Sequence, residues 1–455
     1  MPTSGAAVAK LNLTELLEGS RIGPLHIRLF VLCMASLVMD GFDVQAIGYV
    51  GPAMLADWGI PAPNLRWVFM AGNAGVLIGS LVFSMVADKI GRRPVLVWAT
   101  LFFAVLTIAT SYARDLNELL VLRLVAGIGL GSIMPNATAL IGEFSPSRMR
   151  IATMMIVTNG FTVGAALGGF LAAWLIPEYG WRSVWYVGGL VPIVLLVPMY
   201  LWLPESLQFL ALRRNDTREI GKWLKRIAPA AQVDDSTRFV VPESRAPGVP
   251  IGQLFANGRA AATSLIWAAN FMNIVNAYFV ASWLPTVVRD MGYSTSIGVM
   301  AGATVQVGGV IGTLAIAGLV ARVGFVPILV VCFAVETIAI ALIGQPGLSL
   351  ALLFVVSFLT GWGIFGGQPT LNSLSATYYP TDLRSTGIGA ALGIGRCGAI
   401  IGPWIGGAML GAQWSNESVF YAAAVPAAIA TLSSVLLAKA MNGAVEPKTA
   451  VLARH

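Results

Sequence analysis

Long apolar stretches separated by short polar segments make up most of the chain. A helix needs ~20 apolar residues to cross the ~30 Å hydrocarbon core of a bilayer, because each residue adds ~1.5 Å. The pattern predicts twelve membrane-spanning helices, near residues 27–50, 64–87, 95–112, 116–142, 151–176, 182–203, 260–288, 296–320, 325–345, 347–377, 384–411 and 417–440.

A polar segment midway along the chain divides these spans into two groups of six. Residues 204–259 are rich in charge and contain Pro242, Pro247 and Pro250, which is typical of a linker. The predicted organisation is an N-terminal segment 1–26, a six-helix bundle 27–203, the linker 204–259, a second six-helix bundle 260–440 and a tail 441–455.

The two bundles are related copies. When the first span is aligned with the seventh, Asp40 and Asp43 fall on Asn273 and Asn276. When the fourth span is aligned with the tenth, Gly127, Gly129, Pro135 and Arg150 fall on Gly361, Gly363, Pro369 and Arg384. Parallel repeats of this kind are typical of alternating-access transporters, which bind their substrate near the middle of the membrane between the halves.

Composition supports a membrane protein. Hydrophobic residues make up 57% of the chain and charged residues only 11%, whereas soluble domains carry about 25% charged residues. Backbone polar groups in lipid must be satisfied within the segment itself, so apolar spans of this length are helical. The predicted fold class is an all-α membrane protein with twelve transmembrane helices in two six-helix repeats.

The distribution of positive charge predicts the orientation in the membrane. Of the 28 Lys and Arg residues, 22 fall in segments on the side of both termini, and Arg123 and Arg396 lie within spans. Only four fall on the opposite side, so the positive-inside rule places both termini in the cytoplasm. We expect a multi-pass protein of the inner membrane whose partner is the lipid bilayer, and no nucleic-acid partner despite the net charge of +7.

Metal and cofactor chemistry is not indicated. The three cysteines each lie in an apolar stretch, and there are only two histidines, so we expect no disulfide framework, no metal site and no cofactor other than protons as coupling ions. Residues 1–25 contain Glu15 and Glu18 and lack a cleavable signal pattern, which predicts a short interfacial helix before an uncleaved first span.

Two carboxylates lie inside the first span. Asp40 and Asp43 are three residues apart, so they share one face of the helix. Each acid costs at least ~2.5 kcal/mol in a membrane helix, which favours a functional role facing a watery cavity. We expect both to load protons, although burial against a neighbouring helix is the alternative for either one alone.

An arginine lies at similar depth in the eleventh span. Arg396 follows Arg384 by twelve residues, which places it ~18 Å into the bilayer. Its guanidinium cannot lose its proton and must be matched by an anion. Either a substrate carboxylate provides that anion, which we favour because small residues surround Arg396, or a protein acid does so permanently. The candidate acids are Asp40, Asp43 and Glu336.

Other polar and aromatic residues at comparable depth are candidates for substrate binding. Any one of these residues alone is more often a packing residue. A binding site is favoured because they are predicted to lie together around the positive charge of Arg396. Glu336 is either a second protonation site or a buried neutral acid. The candidate substrate-binding residues besides Arg396 are Tyr278, Trp283, Gln306, Gln368, Asn372, Asn159 and Asn136.

Two motifs resemble signatures of the major facilitator superfamily. Residues 84–93, Ser-Met-Val-Ala-Asp-Lys-Ile-Gly-Arg-Arg, resemble its loop between the second and third spans, with Ser84 in place of Gly and Lys89 in place of Arg. The resemblance implies a cytoplasmic latch between the halves, in which Asp88 accepts from a helix N-terminus and Arg92 holds an acid such as Glu143.

The second motif is Arg-x-x-x-Gly-x-Gly-x-Gly at residues 123–131. The superfamily suggests a role for Arg123 in proton transfer, and an interfacial, snorkelling arginine is the alternative. Pro204-Glu205-Ser206 matches another superfamily signature. We expect the gating residues to be Asp88, Arg92, Glu143, Arg123 and Arg384.

Within the superfamily, Asp40-Gly41-Phe42-Asp43 resembles the Asp-Gly-x-Asp signature of the aromatic acid:proton symporter family. The resemblance extends over all twelve spans and implies a monomeric secondary transporter that imports a small aromatic carboxylate with protons. A proton-coupled carrier of a non-aromatic acid, sugar or drug is the alternative. A membrane enzyme is disfavoured because HExxH, GxSxG and a Cys/His pair are all absent from the sequence.

Overall fold

Long helices account for nearly all of the described chain. The computed structural model describes residues 10–12, 17, 22–214, 216–227, 238–240, 251–380 and 383–443. The first half contains α1 (Pro24–Trp58), α2 (Leu65–Ile90), α3 (Arg92–Thr110), α4 (Leu116–Leu130), α5 (Ile133–Phe144), α6 (Ser147–Thr158), α7 (Gly160–Tyr179) and α8 (Arg182–Trp202).

The linker and the second half follow. The linker contains α9 (Leu207–Phe209), a π-helical turn Leu210–Arg214, α10 (Thr217–Ile227) and a 3₁₀ turn Ile251–Phe255. The second half contains α11 (Ala260–Asp290), α12 (Thr295–Val323), α13 (Phe325–Ile343), α14 (Leu350–Tyr378), α15 (Arg384–Gly411) and α16 (Asn416–Gly443). Residues 444–455 of the predicted tail lie outside the described residues.

The helices agree with the twelve predicted spans. Eleven helical stretches of the described chain are long and apolar enough to cross a membrane, and α1, with 35 residues, is a further long helix. The fourth span consists of α4 and α5, and the fifth of α6 and α7. The break in the fourth span has a local cause. Pro135 lacks an N–H, and its ring crowds the carbonyl of Gly131, the residue that follows α4.

Equivalent helix contacts recur in the two halves. A side chain on Gly127 of α4 would collide with the backbone of Gly72 on α2, and one on Gly361 of α14 would collide with the backbone of Val305 on α12. Gly127 corresponds to Gly361 in the alignment of the two repeats, and Gly72 corresponds to Val305. The two halves therefore share not only the sequence repeat but also the way in which these helices pack.

At one pair of equivalent positions the two halves carry side chains of different chemical character. A Cβ on Gly129 would lie 3.3 Å from Cβ of Phe103 on α3, and a Cβ on Gly363 would lie 2.7 Å from Cβ of Glu336 on α13. Glu336 thus occupies in the second half the position that Phe103 occupies in the first. The second half carries a buried acid where the first half has an aromatic ring.

A two-stranded parallel ladder ties the N-terminal segment to the linker. Strand β1 (Lys10–Asn12) pairs with β2 (Arg238–Val240), with Leu11 opposite Phe239. The interfacial helix expected over residues 1–25 is therefore wrong at residues 10–12. Edge pairing with the linker, which is distant in sequence, overrides the local helical tendency there.

The linker packs against the first half. Leu210, Leu224 and Ile227 of the linker share an apolar cluster with Leu29 near the start of α1 and Phe144 at the end of α5. We call this side of the membrane the linker side and the opposite one the far side; α1 runs from the linker side to the far side.

The two halves meet towards the far side. Gln45 Nε2 donates to the carbonyl of Ala281 at 2.9 Å. Further hydrogen bonds between the halves run from Asn73 Nδ2 to Ala399 O, from Arg289 Nη1 to Pro52 O and from Ser296 Oγ to Ala173 O. All of these bonds lie in the far-side half of their helices, so in this conformation the two halves are closed against each other on the far side.

Glu205 caps a helix at the linker side. Its Oε1 accepts from the backbone N–H groups of Arg92 at 2.9 Å and Arg93 at 3.2 Å, at the start of α3. Gly91, with φ at 107°, lies so close to this carboxylate that a side chain there would collide with it. A carboxylate at a helix N-terminus is favoured by the helix dipole. The Pro-Glu-Ser motif therefore fastens the linker to α3.

We predict that Glu205→Ala destabilises the protein by about 1.5–3 kcal/mol, the range for hydrogen bonds to a charged group. Thermal unfolding in detergent measures the loss. Glu178→Ala, at an exposed position near the end of α7, is the matched control and should leave the transition unchanged. An equal effect of both variants would contradict the capping role.

Candidate functional site

A buried ion pair joins the first and fourth spans. Arg123 Nη1 donates to Asp43 Oδ2 at 3.0 Å, and the two side chains are 5% and 1% exposed. Asp43 Oδ1 also accepts from Thr107 Oγ1, Arg123 Nη2 donates to Thr110 Oγ1, and the guanidinium lies 4.5 Å from the ring of Trp185. Asp43 is therefore held by α3 and α4 together.

This ion pair decides two questions that the sequence left open: whether Arg123 lies at the membrane interface, and whether Asp43 is the partner of Arg396. Arg123 does not snorkel to the interface, because it is buried and paired. Asp43 is not the partner of Arg396, since its two oxygens are already engaged by Arg123 and Thr107.

Asp40 differs from Asp43 in having no direct partner. It is 4% exposed, and its carboxylate makes no hydrogen bond or ion pair with any residue that the structure describes. The charges of Arg396 and Asp43 nevertheless act on it. Arg396 and Asp40 also both act on the hydroxyl of Tyr278. Asp40, Tyr278 and Arg396 therefore form an electrostatic cluster across the boundary between the halves.

Arg396 lies near the middle of α15. The helix begins at Arg384, so Arg396 is ~18 Å along its axis, as the sequence predicts. It is partly accessible, and within the described part of the chain it makes no ion pair. Gly393 and Gly389, about one and two turns earlier, have no atoms within 4 Å of where a side chain would begin. Free space therefore lies along this helix towards the linker side.

Glu336 is not the partner of Arg396 either. It is fully buried on α13, and its Oε1 accepts from Asn276 Nδ2 at 2.8 Å. Its Oε2 is buried without a hydrogen-bond partner among the described residues. Asn276 is the repeat equivalent of Asp43, so both halves connect this position of their first helix to the third helix of the half.

A chain of amides lines the second half. Gln368 Oε1 accepts from Asn273 Nδ2 at 2.7 Å, and Gln368 Nε2 donates to Asn270 Oδ1 and Asn372 Oδ1, each at 3.2 Å. The predicted pair Gln368 and Asn372 is thus in contact. Asn270 and Asn273 were not among the candidates, although the alignment of the repeats, which places Asp40 on Asn273, pointed to α11.

Trp283, which the sequence predicts beside the substrate, lies among buried side chains. Its ring is fully buried, stands edge-on to Phe69 with centroids 5.4 Å apart, and donates to the carbonyl of Pro403 at 2.8 Å. The ring therefore belongs to the far-side closure.

The remaining substrate candidates are buried but are not joined to the cluster by contacts. Gln306 on α12 is 2% exposed and its Oε1 has no partner among the described residues. Asn136 donates to Ser132 O within its own span, and Asn159 lies at the junction of α6 and α7.

Two of the predicted gating residues, Arg92 and Glu143, contact each other and the linker. Arg92 Nε lies 2.9 Å from Glu143 Oε1, the contact expected from the sequence, and Ser206 Oγ donates to Glu143 Oε2 at 2.5 Å. Asp88 is exposed and makes no hydrogen bond or ion pair within the described chain. Arg384 is exposed at the start of α15. In this conformation the loop does not bridge the two halves.

Two six-helix repeats that meet around buried charges at mid-membrane define a membrane transporter, not an enzyme. The sequence matches the Major Facilitator Superfamily over residues 33–390 and 266–452, and the chain belongs to this family. It is a multi-pass protein of the inner membrane.

Curated relatives cover nearly the whole chain. The 4-hydroxybenzoate transporter PcaK of Pseudomonas aeruginosa is 37% identical over 432 residues, which cover 94% of this chain and 96% of the relative. The gallate transporter of Pseudomonas putida is 36% identical, with 93% and 94% covered.

Solved structures share the fold. The xylose transporter XylE of E. coli, in a partially occluded inward open conformation, matches with a TM-score of 0.68 at 16% identity, covering 94% of this chain and 99% of that one. A bacterial homologue of the lysosomal transporter Spinster, inward-facing and unoccupied, matches with a TM-score of 0.69 at 16% identity, covering 93% and 99%. The predicted twelve-helix fold is confirmed.

We predict that Arg123→Ala destabilises the protein by about 3–5 kcal/mol, because it leaves the buried Asp43 carboxylate without its countercharge. Adding Asp43→Asn should restore part of that loss. Thermal unfolding of the two single variants and the double variant measures the coupling.

The exposed pair of Arg182 and Asp57 provides the control. Its atoms are 3.2 Å apart with side chains 44% and 49% exposed, and exposed pairs contribute at most about 1 kcal/mol. A loss for Arg123→Ala no greater than that for Arg182→Ala would be inconsistent with the structural role assigned to the buried pair.

Proposed function

We propose that this transporter imports a small aromatic carboxylate together with protons by alternating access. The far side is the periplasmic side and both termini are cytoplasmic, which the distribution of Lys and Arg supports. Relatives at 36–37% identity are named as transporters of 4-hydroxybenzoate and gallate, which are aromatic carboxylates. One chain provides all the residues invoked below.

The observation that carries the proposal is the unpaired guanidinium of Arg396 near the middle of the membrane. A guanidinium matches a carboxylate through two parallel hydrogen bonds, and the pair is strengthened where water is scarce. The substrate carboxylate is the anion that this position lacks among the described residues. Free space next to Gly389 and Gly393 supports entry and exit along α15 on the linker side.

The amide chain supports recognition of a ring hydroxyl. Gln368 and Asn372 offer donors and acceptors on α14, and Tyr278 adds a hydroxyl close to Arg396. A site built to hydrogen-bond a hydroxyl rejects analogues that lack it, because buried polar groups are then left without partners.

Gln306, Asn159 and Asn136 are assigned to the wall of the same hollow. Trp283 shapes its far-side end.

The two acids of the first span have different roles in this proposal. Asp43, held by Arg123 and Thr107, remains charged and keeps α1 attached to α3 and α4. Asp40, which lacks a direct partner among the described residues, takes up the proton. Glu336 is a second proton-carrying group, held by Asn276 in the other half.

Substrate and proton transport are coupled because burying an unmatched charge between the two halves, where the dielectric constant is low, costs free energy. With substrate bound, Arg396 is neutralised; with a proton bound, Asp40 is neutralised. The fully loaded carrier closes at low cost, whereas a carrier with only one of the two bound keeps one charge without compensation. In the empty carrier the opposite charges of Asp40 and Arg396 offset each other, so it can return.

The linker-side loop acts as the latch of this cycle. Arg92 and Glu143 stay paired within the first half, and the exposed carboxylate of Asp88 becomes available to the second half when the linker side closes. Arg384, at the entrance of α15, lines the opposing edge. Fastening of the linker to α3 through Glu205 keeps this edge rigid during the movement.

We predict that Arg396→Ala weakens binding of 4-hydroxybenzoate by about 100-fold or more, the loss of about 3 kcal/mol expected for a charge-assisted pair. Isothermal titration of the purified protein measures it. Arg322→Ala, an exposed arginine at the end of α12, is the control and should bind like the parent. Equal affinity in both variants would remove Arg396 from the site.

We predict that Asp40→Asn abolishes accumulation driven by a proton gradient while exchange of labelled for unlabelled substrate persists. Exchange requires only reorientation of the loaded carrier, which the neutral amide mimics. In liposomes acidic outside by about one pH unit, one-to-one symport sustains about tenfold accumulation, and the variant should show none. Normal accumulation by Asp40→Asn would exclude this residue as the proton site.

A further inference from the structure

A small cavity adjoins the buried ion pair. Its volume is about 50 Å³, which is room for water molecules. Four helices surround it: α1, α2 and α4 from the first half and α11 from the second.

The lining of this cavity is suited to water. A buried water needs two to four polar partners, and an apolar cavity stays dry. Arg123 Nε is buried without a hydrogen-bond partner among the described residues. The polar residues that line the cavity are Asp43, Arg123, Gln45, Asn73, Tyr278 and Ser282.

The cavity lies on the seam that closes the far side. Two of its lining residues, Gln45 and Asn73, donate the hydrogen bonds that cross between the halves to Ala281 and Ala399. When the halves part on the far side, these bonds break and the cavity opens to that side. The ion pair of Asp43 and Arg123 lies at the wall of this cavity.

Tyr278 connects the cavity to the binding cluster. It lines the cavity, and its hydroxyl is under the influence of both Arg396 and Asp40. A hydroxyl both donates and accepts, so it can pass a proton between a water on one side and a carboxylate on the other.

We infer that this cavity holds ordered water and forms the proton route between the far side and Asp40, with Arg123 anchoring the water and the hydroxyl of Tyr278 completing the path. The inference rests on the proposed function and adds to it where the proton enters. The charged and titratable groups that face the route are Asp43 and Arg123 at the cavity wall, and Asp40 and Arg396 beyond Tyr278.

Gly72 on α2 allows a direct test. It lines the cavity, and an added Cβ would meet only the carbonyl oxygen of Arg123, at 3.9 Å. Gly72→Ala therefore places a methyl group, similar in size to a water molecule, in the cavity without a collision. Gly318→Ala on α12, where an added Cβ has no atoms within 4 Å, is the matched control.

Both variants are reconstituted in liposomes with labelled 4-hydroxybenzoate. Gly72→Ala should slow net uptake driven by an acidic exterior by at least about tenfold, as expected for an impaired proton-transfer step, and leave exchange at equal pH unchanged. Gly318→Ala should match the parent in both assays. Net uptake at the parent rate in Gly72→Ala overturns the inference, and so does an equal loss of exchange.

Two further results keep the test decisive. If Gly72→Ala does not fold, Val76→Ile enlarges another lining side chain and should give the same split between net uptake and exchange. A high-resolution structure should show water bonded to Arg123 Nε in the parent, and a dry cavity would overturn the inference. Failure of the parent to exchange any aromatic acid would instead refute the proposed function.

Discussion

The central constraint on this molecule is that a charge in the membrane interior must be matched by an opposite charge, a hydrogen bond or water. Asp43 and Arg123 satisfy it with each other at 3.0 Å, supported by two threonines and an aromatic ring. Asp40 and Arg396 make no ion pair within the described part of the chain, and each charge acts on the other across the boundary between the halves. The matched pair connects three helices of the first half, whereas the other two charges lie on different halves.

The internal repeat distributes these charges unequally. Both halves pack their helices through the same glycine contacts, so the backbone is nearly duplicated. The polar residues are not duplicated. The second half has Asn276 at the position equivalent to Asp43, and Glu336 at the position equivalent to Phe103. The first half therefore carries Asp40 and the pair of Asp43 and Arg123, while the second half carries Arg396, Glu336 and the amide chain.

Closure of the far side depends on a few hydrogen bonds and on Trp283, whereas the linker side is held within the first half by Arg92, Glu143 and Glu205. Helix pairs also pack across the boundary between the halves, namely α7 with α12, α2 with α15 and α1 with α11. Movement of the halves as two rigid bodies about a central site requires the far-side hydrogen bonds to break and these helix contacts to shift.

Several features followed from the sequence alone: the twelve spans, the repeat, the contact of Arg92 with Glu143 and the depth of Arg396. The spans, the repeat and the depth of Arg396 depend on residue order and spacing, which apolar length and helical rise determine. The contact of Arg92 with Glu143 followed from the resemblance of the loop motif to that of the superfamily. Tertiary structure decided which acid pairs with Arg123, that Trp283 belongs to the far-side closure, and that Lys10–Asn12 joins the linker as a strand. Those outcomes depend on how each helix is rotated and on contacts between segments far apart in the chain. The periodicity of apolar residues within one segment contains no information about either.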